Sequence, residues 1–320
     1  MFAKNVLVAA AALVATVAAQ AQTVNVYGNV DVSVGSFEGT AENFTHRVTK
    51  VESSVLTGSF IGFKGQEDLG GGLKAFFKLE SAIGVDTGSA QSNFWNRTSE
   101  LGLTGAYGTI TGGNSVSLAG RAYDAQSPFS FFGNMNGVAS TVAAHGGNFG
   151  AVQTNSLTYT SQTYSGFAGA AQFGTGTEAS STDKIYALQG TYASGPLAAG
   201  LTVTNNDLAD QNLVQLGGSY DFGSVKAFGQ IGRAKLAAND DLNYFELGAS
   251  VPVAANCKVL AAWTHGKSDG YKTDDLSVAY DHTLSKRTGA YAGLVYQSEK
   301  FDSFDSDSGI SLAVGLRHAF

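Results

Sequence analysis

Apolar and polar side chains alternate with a period of two through most of this chain. In the segment Val24–Gly35 the apolar positions are Val24, Val26, Val30, Val32 and Val34, and polar residues stand between them. The C-terminal segment Ile310–Phe320 repeats the pattern, with small or polar residues on its second face. Such alternation is typical of β-strands. A soluble sandwich would also alternate, but here the polar face recurs along the chain and no helical segment is predicted to cover either face.

About sixteen segments of this kind can be recognised. They begin near Val24, Ser53, Gly72, Asn96, Gly108, Thr154, Gly166, Lys184, Pro196, Asn212, Ser224, Leu242, Asn256, Thr273, Lys286 and Ser308. Their connections alternate between short turns, such as Ser194-Gly195, and longer polar loops, such as Gly266–Lys272. Each segment has roughly 9 to 12 residues, enough to cross a bilayer when tilted. An even strand count with short turns at one end predicts an all-β fold, a transmembrane antiparallel β-barrel with short periplasmic turns and long outer loops.

One connection is far longer than the others and carries few charges. It runs from Ser115 to Val152, is rich in Gly, Asn and Ser, and holds an aromatic cluster around Pro128. Compact domains rarely keep so long a connection between strands unless it has a function. We expect this third long loop to fold into the lumen and to narrow it.

The N-terminus has the features of a secretory signal peptide. Lys4 precedes the apolar run Val6–Ala19, roughly 14 residues long, and Ala19-Gln20-Ala21 forms an A-x-A cleavage site. The run is too short for a spanning helix, and no later stretch is long enough for one. We expect residues 1–21 to be a signal peptide and residues 22–320 to form the barrel.

Composition narrows the function classes. Charged residues make up 14% of the chain, with 41 Gly, 3 Pro and a formal net charge of -7. The sequence has no basic patch of the kind that would indicate a nucleic-acid partner. The single Cys257 excludes an internal disulfide, and the five histidines show no metal-ligand spacing. We therefore expect no metal site and no cofactor.

Several motifs resemble those of Gram-negative general porins of the beta-proteobacterial type. The most specific is Phe60–Glu80, FIGFKGQEDLGGGLKAFFKLE, which is similar to the second and third strands of that family. The others are Val26–Asp31 (VYGNVD), Asn96-Arg97, Leu284–Thr288 (LSKRT) and the ending Gly315–Phe320 (GLRHAF). The resemblance spans the mature chain. It implies a homotrimer of sixteen-stranded barrels in the outer membrane, and it gives the terminal Phe320 the role of an assembly signal read by the barrel-assembly machinery.

The chain departs from the family at three positions. Family members usually carry arginine where this chain has Phe60, and often at or beside the positions of Asn114 and Gln153. Arg97 keeps its place, and the long loop itself carries only Arg121 and Asp124 as charged residues. We therefore expect a weaker preference for anions than in close relatives.

The alternation along each strand determines which of its residues face the lumen. Charged side chains facing lipid cost roughly 2 to 4 kcal/mol at the midplane, so the phase that turns them inward is preferred. That phase makes Lys64, Lys74, Lys78 and Arg97 one basic wall with Glu80 beside it, and it turns Tyr27 and Asp31 inward as ordinary lining. The lysines could instead merely solvate the lumen or pair with Glu80. Phe60 with the loop residues Phe129, Phe131 and Phe132 could form an aromatic constriction, or the loop rings could anchor the loop to the wall.

The function expected is an outer-membrane porin for passive diffusion of small hydrophilic solutes and ions, and not an enzyme. The alternative within transport is a substrate-specific channel with a saturable site for a small sugar or organic acid. Acidic residues of the outer loops could bind divalent cations that bridge to lipopolysaccharide phosphates, although solvated surface charge is the simpler explanation; they are Asp302, Asp305, Asp307, Asp240, Asp241, Asp274 and Asp275.

Overall fold

The computed structural model describes residues 24–38, 47–90, 93–147, 149–175, 184–207, 209–236, 241–302 and 306–320. The predicted signal peptide lies outside these residues. The strands are β1 Asn25–Phe37, β2 Val48–Ser53, β3 Phe60–Gly70, β4 Leu73–Gly84, β5 Ser89–Ala90, β6 Thr98–Gly105, β7 Gly108–Val116, β8 Val152–Thr160, β9 Phe167–Thr175, β10 Lys184–Ser194, β11 Leu197–Asn206, β12 Gln211–Asp221, β13 Lys226–Lys235, β14 Asp241–Ala254, β15 Cys257–Ser268, β16 Tyr271–Thr283, β17 Thr288–Phe301 and β18 Asp307–Ala319. Two helices, α1 Leu118–Ala125 and α2 Gly137–Ala144, lie between β7 and β8.

The strands close into one antiparallel barrel. Neighbours in sequence pair around the whole ring, and β1 pairs with β18 from Asn29↔Ala319 to Ser36↔Leu312. Beyond that ladder, Gly28 and Phe320 exchange backbone hydrogen bonds of 3.2 and 3.1 Å. A closed barrel leaves no edge strand with unpaired backbone groups in lipid.

The eighteen strand segments make sixteen wall strands. β2 and β3 both pair with β1, so they are two halves of one interrupted wall strand. β5 is a two-residue segment that pairs only with the end of β4. The predicted sixteen-stranded antiparallel barrel is confirmed.

The outer surface of the wall is apolar, as a lipid-facing surface requires. Leu101, Leu188, Ile231 and Leu247 are 58–67% exposed on that surface. Aromatic residues stand near the short-turn end, where Tyr107 is 90% and Phe222 62% exposed. Neither helix among the described residues is long and apolar enough to cross a membrane.

The connection between β15 and β16 is shorter than expected. The range 266–272 was predicted to be a long loop, but β15 continues to Ser268 and β16 begins at Tyr271. Only Asp269 and Gly270 remain between them, and Gly270 adopts φ +70°, which favours glycine. The two strands therefore rise together to the outer rim as one hairpin.

Candidate functional site

The segment between β7 and β8 lies inside the barrel, as predicted for the third long loop. Its two helices have ordinary N-caps: Ser117 Oγ accepts from Gly120 N at 2.8 Å, and Asn136 Oδ1 accepts from Ala139 N at 3.0 Å. Such caps satisfy backbone donors that a helix end leaves free. The loop, defined as residues 117–151, is therefore locally ordered and not an open connection.

Inward-facing glutamines hold α1 against the wall. Leu118 N donates to Gln172 Oε1 on β9, and Gln189 Nε2 on β10 donates to Leu118 O. After the helix, Gln126 Nε2 donates to Gly200 O at 3.1 Å and Gln126 Oε1 accepts from Gln215 Nε2 at 3.2 Å. Beside these bonds a buried apolar cluster joins the loop to the wall, with Tyr123, Val138, Val142, Leu213, Leu242 and Tyr244 among its members.

The second half of the loop is fixed to β15–β17 and to the break in the second wall strand. Thr141 Oγ1 on α2 donates to Asp275 Oδ2 at 3.1 Å, and Gln297 Nε2 donates to Ser140 Oγ at 3.2 Å. Farther along the barrel, Asn134 N donates to Ser54 O at 3.0 Å. The loop thus lines the inner wall from β9 round to the β2–β3 break, and the opening lies between the loop and β3, β4, β6 and β7.

The wall opposite the loop carries the predicted cations. Lys64 on β3 and Lys78 on β4 are direct cross-strand neighbours on the inner face. Lys64 is exposed, and its Nζ lies 4.5 Å from the centre of the Tyr27 ring. Lys74 lies nearer the short-turn end, opposite Asp68.

Glu80 is the carboxylate at the centre of this wall. It accepts from Tyr27 Oη at 2.6 Å. Lys78 Nζ lies 3.8 Å and Arg97 Nε 3.6 Å from its two oxygens. One carboxylate is thus shared by two cations, and its side chain is only 10% exposed.

Arg97 connects the wall to the loop. Its guanidinium carbon lies 4.5 Å from the centre of the Phe60 ring and 3.8 Å from that of the Phe132 ring. A cation held over aromatic faces in this way is stabilised electrostatically. Gly58 permits the approach, because a Cβ there would lie 2.7 Å from Phe132 Cβ and 2.8 Å from Arg97 Nη1.

The loop contributes Arg121, Asp124 and Phe131 on its open side. Asp124 is exposed and accepts from Phe131 N at 2.9 Å, and the Phe131 ring packs against Tyr123 and Phe132. Burial lowers the pKa of Arg121, and the carboxylate of Glu100 opposes that shift. Burial raises the pKa of Tyr123 above its ordinary value.

Of the residues predicted for the lumen or the constriction, Asn114 and Phe129 lie elsewhere, and Gln153 is on the inner wall but is covered by the loop. Asn114 is on the outer face, where it pairs with Ser99 and donates from its side chain to Trp95 O at 3.0 Å, because the alternation along β7 turns Thr111 and Ser115 inward. Phe129 is 1% exposed and packs behind the loop. Gln153 is buried on the inner wall at the base of the loop, next to Gly174.

The sequence analysis did not predict that two inward polar residues, Glu100 and Asp31, form hydrogen bonds that hold distant segments in place. Glu100 accepts from Ser115 Oγ at 2.7 Å at the start of the loop. Asp31, predicted as ordinary lining, is fully buried and accepts from Thr57 N at 2.7 Å and Tyr291 Oη at 2.5 Å. The inward phase of the strands was a signal for both residues, but their partners are distant in sequence.

This architecture defines a class of protein: a membrane-spanning channel whose lumen is narrowed by an internal loop. The described residues contain no group of three or more His, Cys, Asp or Glu side chains placed to hold a metal ion. Of the acidic side chains predicted for the outer loops, Asp275 is buried and faces inward, Asp241 bonds to Arg233 and Asp274 to His265, while Asp240 and Asp305 lie outside the described residues.

The chain belongs to the Gram-negative porin family, whose sequence model matches residues 8–302. It is 30% identical to outer membrane porin protein 32 of Delftia acidovorans, over 99% of this chain and 100% of that protein. The protein is therefore an outer-membrane porin, a channel for passive diffusion. The predicted family, function and location are confirmed.

Solved structures show the same fold. The anion-selective porin from Comamonas acidovorans matches with a TM-score of 0.74 at 23% identity, covering 93% of this chain and 100% of that one. The trimer form of OmpT, an outer membrane protein of Vibrio cholerae, matches with a TM-score of 0.68 at 16% identity, covering 94% and 100%.

Proposed function

We propose that this porin passes small hydrophilic solutes with a modest preference for anions, set chiefly by Lys64 and Lys78. The observation that carries the proposal is their direct pairing on the inner wall that faces the loop. Two like charges on neighbouring strands make a local positive potential, and rings of charge in a pore bias which ions enter.

The surrounding charges leave this positive potential only partly compensated. Glu80 is shared between Lys78 and Arg97. Glu100 on β6 stands directly opposite Lys78 and near Arg121 of the loop, and the exposed Asp124 of the loop adds one more negative charge. The preference is modest because Phe60 brings no cation to the inner-wall position where family members usually carry arginine.

A reversal-potential measurement in a KCl gradient across a planar bilayer tests the proposal. We expect chloride to permeate more readily than potassium, and Lys64→Gln/Lys78→Gln to abolish most of that difference. The control variant is Lys286→Gln/Arg287→Gln, which removes two exposed cations at the short-turn rim. We expect it to change the ratio of chloride to potassium permeability little. Cation selectivity in the unmodified channel, or strong anion selectivity that survives the Lys64/Lys78 change, would refute the assignment.

The same bilayer recordings separate general diffusion from the alternative of a saturable site. In a general porin, sugars and dicarboxylates leave the current unblocked at micromolar to low millimolar concentrations. Concentration-dependent block in that range would instead identify a substrate-specific channel.

The assembly and partners follow from family membership as further proposals. We propose that residues 1–21 direct export and are removed, which N-terminal sequencing of the purified protein tests. We further propose a homotrimer, recognition of Phe320 by the barrel-assembly machinery, contact with lipopolysaccharide, and no catalytic activity or cofactor. Cross-linking in the native membrane tests the trimer.

A further inference from the structure

The single cysteine of the chain lies beside a histidine on the outer face of the barrel, at the short-turn rim. Cys257 on β15 and His282 on β16 are direct cross-strand partners, and Sγ of the cysteine lies 2.9 Å from Nδ1 of the imidazole. Both side chains face outward, because the alternation along the two strands turns Lys258 and Asp281 inward, where Arg317 binds Asp281 at 2.7 Å. The sequence analysis found no metal-ligand spacing because the two residues are 25 positions apart.

Polar groups surround the sulfur, whereas a structural cysteine usually packs as a small apolar side chain. Tyr280 Oη donates to Sγ of Cys257 at 3.0 Å, and Asn256 Oδ1 lies 3.5 Å from the same sulfur. Cys257 itself is 9% exposed, but Tyr280 is 44% exposed and Asn256 lies in the exposed turn before β15. Only these side chains therefore separate the sulfur from the water beyond the short-turn rim.

The imidazole of His282 is oriented for binding a metal through Nδ1. Its other nitrogen, Nε2, lies 3.2 Å from the side-chain amide of Asn256. Histidines that bind metals almost always bond through their second nitrogen to a polar group, which sets the tautomer and the orientation of the ring. With a metal on Nδ1, Nε2 carries the proton, and the Asn256 amide turns its oxygen to accept it.

The pair supplies two strong ligands. Among the residues that the structure describes, no further His, Cys, Asp or Glu side chain completes a group of three here. Zn²⁺ sites normally take three or four protein ligands. Cu(I) binds soft thiolate ligands and imidazole, and it accepts as few as two ligands. The thiolate of Cys257 and the imidazole of His282 therefore fit Cu(I) better than Zn²⁺.

We propose that Cys257 and His282 bind one Cu(I) ion at the short-turn rim. The thiol releases its proton to solvent, and the thiolate and Nδ1 bond to the ion without electron transfer. With metal bonds of about 2.3 Å to sulfur and 2.0 Å to nitrogen, the lengths found for zinc, a linear arrangement places the two atoms roughly 4.3 Å apart. Rotation of the side chains supplies the change, because facing Cβ atoms on paired strands are about 4.5–5.5 Å apart.

The test is Cu(I) binding by the whole porin, purified in detergent, stripped of metal and kept anaerobic with a reductant that is not a thiol. The affinity is measured by competition with a chromogenic Cu(I) chelator. The variants are Cys257→Ser, His282→Gln and Asn256→Ala. The control is His318→Gln, which removes another exposed histidine at the same rim, one bonded to Thr288 at 2.9 Å. Heat-modifiable gel migration shows that each variant is folded.

We expect one Cu(I) ion for each chain and no binding by Cys257→Ser. The affinity should fall about 100-fold in His282→Gln and about 10-fold in Asn256→Ala, because losing a group that orients a metal-binding histidine typically costs about 10- to 100-fold. The control should bind Cu(I) as the unmodified porin does. Equal affinity of His282→Gln and the unmodified porin overturns the proposal, since the thiol would then bind the ion alone. An affinity for Zn²⁺ equal to that for Cu(I) also overturns it. The site is on the opposite side of the wall from the constriction, so these outcomes do not depend on the proposed ion selectivity.

Discussion

The guanidinium carbon of Arg97 lies 3.8 Å from the centre of the Phe132 ring, and this contact joins the channel wall to the tip of the inward loop. Phe60 lies on another side of the same guanidinium at 4.5 Å, and Glu80 lies 3.6 Å from its Nε. Arg97 therefore has two tasks. It neutralises a carboxylate in a confined space, and it positions the loop against the wall.

The two tasks can be separated by two substitutions of Arg97. Arg97→Gln removes the cation, so Glu80 is compensated by Lys78 alone, and the chloride-to-potassium permeability ratio should fall by roughly twofold or more. Arg97→Lys keeps the charge but loses the planar stacking of a guanidinium. We expect its selectivity to be retained while open-channel current noise rises as the loop tip loosens. Equal reversal potentials for the glutamine variant and the unmodified channel would show that Arg97 does not act on permeating ions.

Phe60 occupies the position at which family members usually carry arginine. Phe60→Arg should increase the anion preference, because it adds a cation to the inner wall beside Lys64, Lys78 and Arg97. It should also lower the temperature at which the folded band disappears on a gel, because the new cation faces Arg97 and the edge contact with the Tyr27 ring at 5.7 Å is lost. Phe60→Leu removes the ring without adding charge and serves as the control. A Phe60→Arg channel with unchanged selectivity would argue against the role given to this position.

The fold was almost wholly predictable because alternation is a local signal. Apart from the second, every wall strand begins within two residues of its predicted start. The second strand differs because residues 54–59 interrupt it, and that interruption is held by Asp31 accepting from Leu56 N and Thr57 N. Because Asp31 is on another strand, no local sequence pattern predicts the interruption at residues 54–59.

The site was predictable only in part. The inward phase of β3 and β4 identified Lys64, Lys78 and Glu80, because the high cost of charge in lipid fixes the phase. At Asn114 the family resemblance placed the side chain in the lumen, but the alternation along β7 turns Thr111 and Ser115 inward and Asn114 outward. For the loop, composition did not reveal which rings face the wall: Phe129 is buried among Val55, Leu56 and Met135, whereas Phe132 meets Arg97.

The position of the loop inside the barrel can be fixed covalently. A Cβ added at Gly137 on α2 would lie 3.0 Å from Thr264 Cβ on β15, slightly closer than the 3.5–4.5 Å usual for a disulfide. We expect Gly137→Cys/Thr264→Cys, in a Cys257→Ser background, to oxidise readily with little change in single-channel conductance, because the loop already lies there. Gly190→Cys/Thr264→Cys is the control, since Gly190 has no atom within 4 Å of its Cβ position and lies on β10. A large fall in conductance on oxidation would mean that the loop spends much of its time elsewhere.

Phe320 closes the barrel through its backbone and is also the predicted assembly signal. Its N and O both bond to Gly28, and a Cβ at Gly28 would lie 2.5 Å from the Phe320 ring. Removing Phe320 costs two backbone bonds among the many of the ladder, so purified protein should still refold in detergent. In cells, the amount of heat-modifiable barrel in the outer membrane should fall severalfold, while Phe320→Tyr should remain near the normal level. If deletion impairs refolding of the purified protein as much as assembly in cells, Phe320 acts through barrel stability and not through recognition.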